Sequence, residues 1–124
     1  MFSHIMIGTN DLERAKNFYD KVLGTLGVQP ARIDGHRIFY RTPAGTFSVT
    51  EPINGQPATV ANGSTIGFAC SSPEQADLWH AAGIANGGTT CENPPGVREG
   101  SAGKLYLAYL RDPDGNKICA LHRM

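Results

Sequence analysis

At 124 residues, 40% hydrophobic and 18% charged, the chain is sized for one domain able to bury roughly two thirds of its unfolded surface. Its 11 basic and 11 acidic residues cancel, which removes the positive footprint that binding to a phosphate backbone requires. No stretch approaches the roughly 18 apolar residues of a membrane span, and no positively charged, then apolar leader opens the sequence. Cys70, Cys91 and Cys119 are an odd set without CxxC spacing, which argues against a disulfide framework and against a structural zinc site. The expectation is a cytoplasmic protein in a reducing compartment, with neither nucleic acid nor membrane as partner.

The segment Phe2 to Gly8 alternates as a strand around a lone His4 and ends at the turn-forming Thr9, Asn10 and Asp11. Leu12, Ala15, Phe18, Tyr19, Val22, Leu23 and Leu26 then recur at helical spacing. Asn10 with Glu13 three residues later has the form of a capping box, so a helix is expected to run to about Gly24. Two extended stretches follow, Arg37 to Arg41 and Thr46 to Glu51, joined by a turn at Thr42, Pro43, Ala44 and Gly45. The polar stretch 53–63, rich in Asn, Gly and Pro, reads as a linker.

From Ser64 the order repeats. An apolar run, Thr65 to Cys70, leads into a second cap at Ser71, Ser72, Pro73 and Glu74. Sliding the first half by 61 places Glu13 on Glu74, Ala15 on Ala76 and Phe18 on Trp79. Near the ends of the halves a shift of 70 fits instead, matching Arg41, Pro43 and Gly45 to Arg111, Pro113 and Gly115. The nine extra residues fall within 93–104, expected to form a long mobile loop. Matched caps, helices and turn signal a duplication: one α+β domain of two βαβββ modules, 1–52 and 64–124, joined by 53–63.

The opening HIMIGTNDLERAKNFYDKVLG and the closing RDPDGNKICALH resemble the vicinal oxygen chelate superfamily, which includes glyoxalase I, bleomycin resistance proteins and extradiol dioxygenases. The resemblance spans almost the whole chain. It implies paired βαβββ modules in a half-open, barrel-like mixed sheet with helices outside, a small-molecule pocket between the modules, and a homodimer. It also implies metal ligands on the first and last strands of each module, which here fall on His4, Val49, Thr65 and Cys119.

Valine offers no donor atom and a neutral threonine hydroxyl is a poor ligand, so the metal site reads as degraded and no cofactor is expected. If a divalent zinc, nickel, manganese or iron ion is bound, the set to inspect is His4, Glu51 and Cys119, Glu51 lying two residues beyond Val49 on the same side of its strand. His4 is the candidate for catalysis because an imidazole is the side chain type suited to taking up and giving back a proton near physiological pH. Alternation places Phe47 and Thr65 beside it in the pocket. Tyr106 and Tyr109 offer aromatic faces with polar tips, and Arg98 on its glycine-rich stretch could clamp an anion. Asp112 to Gly115 read as turn chemistry, and Phe18 and Trp79 as core. Two functions remain open: a glyoxalase- or dioxygenase-like enzyme, and a metal-free protein that binds or sequesters a small molecule.

Overall fold

The computed structural model describes all 124 residues. In chain order the elements are β1 (His4–Gly8), α1 (Leu12–Gly24), β2 (Arg32–Asp34), β3 (Arg37–Thr42), β4 (Gly45–Thr50), β5 (Ile66–Ala69), α2 (Pro73–Ala85), β6 (Thr89–Thr90), β7 (Gly96–Gly100), β8 (Gly103–Arg111) and β9 (Lys117–Arg123). They form two mixed, open sheets, ordered β1-β4-β3-β2 and β5-β9-β8-β6, with β7 also paired to β8. In each half the first strand runs parallel to the last, β1 to β4 and β5 to β9, and the other pairings are antiparallel. The fold is α+β with the duplicated order read from the sequence. No helix is long and apolar enough to cross a membrane.

Each helix begins on a polar cap. The first cap is Asp11, whose carboxylate accepts from the Arg14 amide at 3.0 Å, and not Asn10. The Asn10 side chain is engaged elsewhere, exchanging two hydrogen bonds with the main chain of Ala58 and so tying the stretch between the halves to the start of α1. Ser72 caps α2 by accepting from the Gln75 amide, and Gln75 returns a bond from the Ser71 amide, a reciprocal box with Pro73 in the first turn.

One core serves both halves. Phe18, Tyr19 and Val22 of α1, Ile38 and Val49 of the first sheet, Trp79 of α2, and Leu110 and Ile118 of the second sheet are all fully buried in it. Burial of such large side chains contributes roughly 1.5–3 kcal/mol each. The close approach of α2 to β8 depends on Gly83, where a Cβ would lie 2.2 Å from the Leu110 Cδ1.

Two further expectations are corrected. The segment 93–104 is a hairpin and not a loop: β7 pairs along β8 from Gly96 opposite Leu107 to Gly100 opposite Gly103, so its main-chain groups are held in a ladder. The second correction concerns register. The β3–β4 turn leaves Arg41 opposite Thr46, whereas the β8–β9 turn leaves Arg111 opposite Lys117, one residue more. Past that turn the halves match with a shift of 71, and the partner of Cys119 is Ser48, not Val49. A slip of one residue exchanges the two faces of a strand.

Candidate functional site

In the first sheet Ile5 and Ile7 of β1 align with Phe47 and Val49, and these with Tyr40 and Ile38. This face meets the helix: the Tyr19 ring lies 4.9 Å from that of Phe47. His4 aligns with Thr46 and Met6 with Ser48, on the face turned away from the helix. The second sheet divides alike, with Ile66, Phe68, Leu110 and Ile118 toward α2 and Gly67, Tyr109, Lys117, Cys119 and Leu121 turned away. The single-parity lining that groups His4 with Phe47, Val49 and Glu51 is therefore split between two faces. Val49 is fully buried in the core.

A cleft of about 540 Å³ is bordered by β1 and β5. Both faces contribute. Phe47, Phe68 and Ile66 form an apolar wall with Leu23 and Leu26 of the α1 end, while His4, Thr46, Gly67 and Ala69 supply the rest, and Ala44 and Gly45 of the β3–β4 turn close one end. The Phe47 and Phe68 rings meet edge to face at 5.2 Å between centroids. Of the residues singled out from the sequence, the cleft brings together His4 and Phe47. Thr65 is exposed just ahead of β5 and is not part of it. The parts missed, Ile66 and Phe68, carry a signal only in hindsight: both lie on one short apolar strand, β5, that has a single neighbour.

His4 is exposed, and its Nδ1 lies 2.8 Å from the Ser3 hydroxyl oxygen. Tyr106 and Tyr109 are three residues apart on β8 and so point to opposite faces. Tyr106 donates to Asp77 of α2 at 2.7 Å, whereas Tyr109 stacks under the Lys117 ammonium at 5.0 Å. Lys117 is ion-paired with Glu92, whose backbone φ of 58° makes it the one non-glycine residue with positive φ. Arg98 donates from its guanidinium to the carbonyls of Gly96 and Asn93, so it braces the segment entering β7.

Burial first, and then the nearby Glu92 carboxylate, push the Cys119 thiol up to about 11. A thiol is nucleophilic as its thiolate, so Cys119 is expected to resist alkylation at pH 8 while half-buried Cys91 reacts ahead of it; mass mapping after brief iodoacetamide treatment checks the order. The same shift has a consequence for stability. A folded value of about 11 lies above the ordinary 9.0, so the native state holds the proton longer, and the contribution is full below about pH 9 and lost as pH rises through about 11.

The residues do not fit a divalent ion in the arrangement that the resemblance implies. No three His, Cys, Asp or Glu side chains converge anywhere in the chain. Glu51 lies beyond the end of β4, 48% exposed and 4.0 Å from His36, and its strand parity is that of Val49, away from His4. Burial and the nearby Glu92 carboxylate favour the protonated Cys119 thiol, so a metal there would have to displace that proton.

A second polar cluster went unrecognised in the sequence. The Asp112 carboxylate, 4% exposed, accepts from the Tyr19 hydroxyl at 2.7 Å, from the amides of Asp114 and Asn116, and from the Asn116 side chain. Asp114 accepts from the Thr9 hydroxyl, the Asn10 amide and Arg14. The turn 112–116 is built as its residues suggest, and it also clasps the first module to the second.

A family model described as the Glyoxalase/Bleomycin resistance protein/Dioxygenase superfamily matches residues 1–120. Among solved structures the chain is similar to a glyoxalase/bleomycin resistance protein from Albidiferax ferrireducens, at 72% identity over 99% of each chain with a TM-score of 0.97. It also shares its fold with a glyoxalase-related enzyme from Fulvimarina pelagi, at 18% identity over 99% of this chain and 88% of that one with a TM-score of 0.75. The lactoylglutathione lyase from Agrobacterium tumefaciens matches at 20% identity over 98% and 92% with a TM-score of 0.66. None of the curated proteins compared with it matches. The duplicated βαβββ order, the parallel pairing of first and last strands and the match over nearly the full chain place this protein in the glyoxalase/bleomycin resistance protein/dioxygenase superfamily.

Proposed function

We propose that the protein binds a small, largely apolar molecule in the cleft between β1 and β5, without a resident metal ion, as a binding or sequestration protein. The observation that carries this reading is the cleft itself: about 540 Å³, walled by Phe47, Phe68, Ile66, Leu23 and Leu26, within the size range of small-molecule sites. The dispersed ligand set supports the absence of metal chemistry. The neutral probe N-phenylnaphthylamine should brighten on binding one equivalent to the unmodified protein. Ala69→Phe, at an exposed cleft residue outside the core, should weaken it at least tenfold. Equal binding to both proteins would remove the cleft from consideration. Elemental analysis of protein purified without a metal-binding tag should find substoichiometric zinc, nickel, manganese and iron.

A second reading is favoured by the place of His4 at the cleft: a glyoxalase-like enzyme in which its imidazole moves a proton on an oxygenated substrate. One equivalent of metal lost on His4→Ala would favour that reading over the first. The outward faces of the sheets carry half-buried Met6, Phe39 and Leu121, which supports a homodimer that sedimentation can test. Three free thiols suit a reducing cytoplasm.

A further inference from the structure

Both strands that border the cleft have a bare edge. β1 bonds only to β4 and β5 only to β9, and along such a strand the main-chain groups point alternately to the neighbour and to the open side. The Thr9 amide donates to the Thr50 carbonyl, so Thr9, Ile7 and Ile5 face β4 while Gly8 and Met6 face outward. The Cys70 amide donates to the Leu121 carbonyl, so Phe68 and Ile66 face β9 while Gly67 and Ala69 face outward.

The duplication sets Gly8 against Ala69, and the two positions are treated differently. The outward Gly8 carbonyl is taken by the Asn116 carboxamide, which donates to it at 3.0 Å from the β8–β9 turn. The corresponding β3–β4 turn brings Thr42, Ala44 and Gly45 to the cleft beside Ala69. It is one residue shorter and carries no carboxamide, and the residue it lacks is the counterpart of Asn116. No strand, turn or side chain bonds the outward groups of Gly67 and Ala69, both of which are exposed. Their small side chains let a flat molecule approach to main-chain contact.

We infer that the cleft takes a planar aromatic molecule with a carboxamide or lactam edge, which fills the place Asn116 fills at β1. Its N–H donates to, and its C=O accepts from, the free main-chain groups of Gly67 and Ala69, and its ring lies against Phe47 and Phe68. Such an edge matches a strand as another strand would. The inference rests on the cleft being the binding site, and the probes separate the two.

Carbostyril, its N-methyl derivative and naphthalene share a bicyclic ring and differ in the donor and acceptor. Titration of nitrogen-labelled protein, followed by amide correlation spectra, should show carbostyril binding at least tenfold more tightly than either analogue, with downfield movement of the Gly67 or Ala69 amide proton. Ala69→Pro deletes one outward donor at an edge, where proline is tolerated, and should bring the three probes to within threefold of one another. The comparison on unmodified protein stands even if that variant fails to fold. Equal affinities of the three for the unmodified protein would overturn the edge inference and leave the cleft as a site. Absence of binding by all three would overturn both.

Discussion

Asp112→Ala is expected to lower the free energy of unfolding by about 3–5 kcal/mol, because several donors lose a buried acceptor and each orphaned group costs on the order of 1–3 kcal/mol. The Tyr19 hydroxyl is the most affected, being fully buried. The Asp114 and Asn116 amides lose the oxygen that shapes their turn. Asp112→Asn keeps one acceptor and should lose less, and Tyr19→Phe less again. Denaturant melts of the three variants check the order, and a loss below 1 kcal/mol for Asp112→Ala would show that the turn holds without its carboxylate. Burial raises the Asp112 pKa while its hydrogen bonds to Tyr19 and Asn116 lower it. A folded value above the unfolded one means that its contribution is full at low pH and declines as pH climbs through the folded value.

Gly88→Ala should cost about 2–3 kcal/mol, at the upper end of what overpacking exacts. A Cβ there would stand 2.8 Å from the Phe18 ring, 2.9 Å from the Gly83 carbonyl oxygen and 3.1 Å from that of Arg111. Two of the three obstacles are main chain, and Gly88 itself donates to the Gly83 carbonyl, so neither of those two can step aside without moving α2 or β8. Gly24→Ala is the matched control: it ends α1 with nothing within 4 Å of the added methyl, and helix propensity alone favours the change. Thermal melts should separate the two variants by several degrees, and similar midpoints would mean that the α2–β8 junction yields.

The duplication was legible because it is written in local signals: caps, helical periodicity and an Arg-x-Pro-x-Gly turn. Register was not, because it depends on how many residues a turn consumes before pairing resumes. Gly45 opens β4, while Asn116 still stands between Gly115 and β9, and the shared Arg, Pro and Gly conceal that extra residue. Val49 thus took the place of Ser48 among the positions that the resemblance implies, and a carboxylate introduced at Val49 would land in the core instead of facing a ligand. The segment 93–104 misled for a related reason. Its glycines suit a loop, yet Gly100 and Gly103 bracket a tight turn and the ladder between them and β8 needs no apolar pattern. His4 and Phe47 reach the same cleft from opposite faces because the cleft wraps around the end of a sheet, which alternation along one strand cannot reveal.

The clasp formed by Asp112, Asp114 and Asn116 has a bearing on biogenesis. Its partners Thr9, Arg14 and Tyr19 leave the ribosome about a hundred residues earlier in sequence, and contacts so distant along the chain slow folding. The leading module must wait, with the Tyr19 hydroxyl and the Gly8 carbonyl lacking their final partners, until the last segment has been synthesised. Truncation just before Asn116 should therefore leave a nascent chain that protease digestion finds open, although both helices and every strand but β9 would already be encoded.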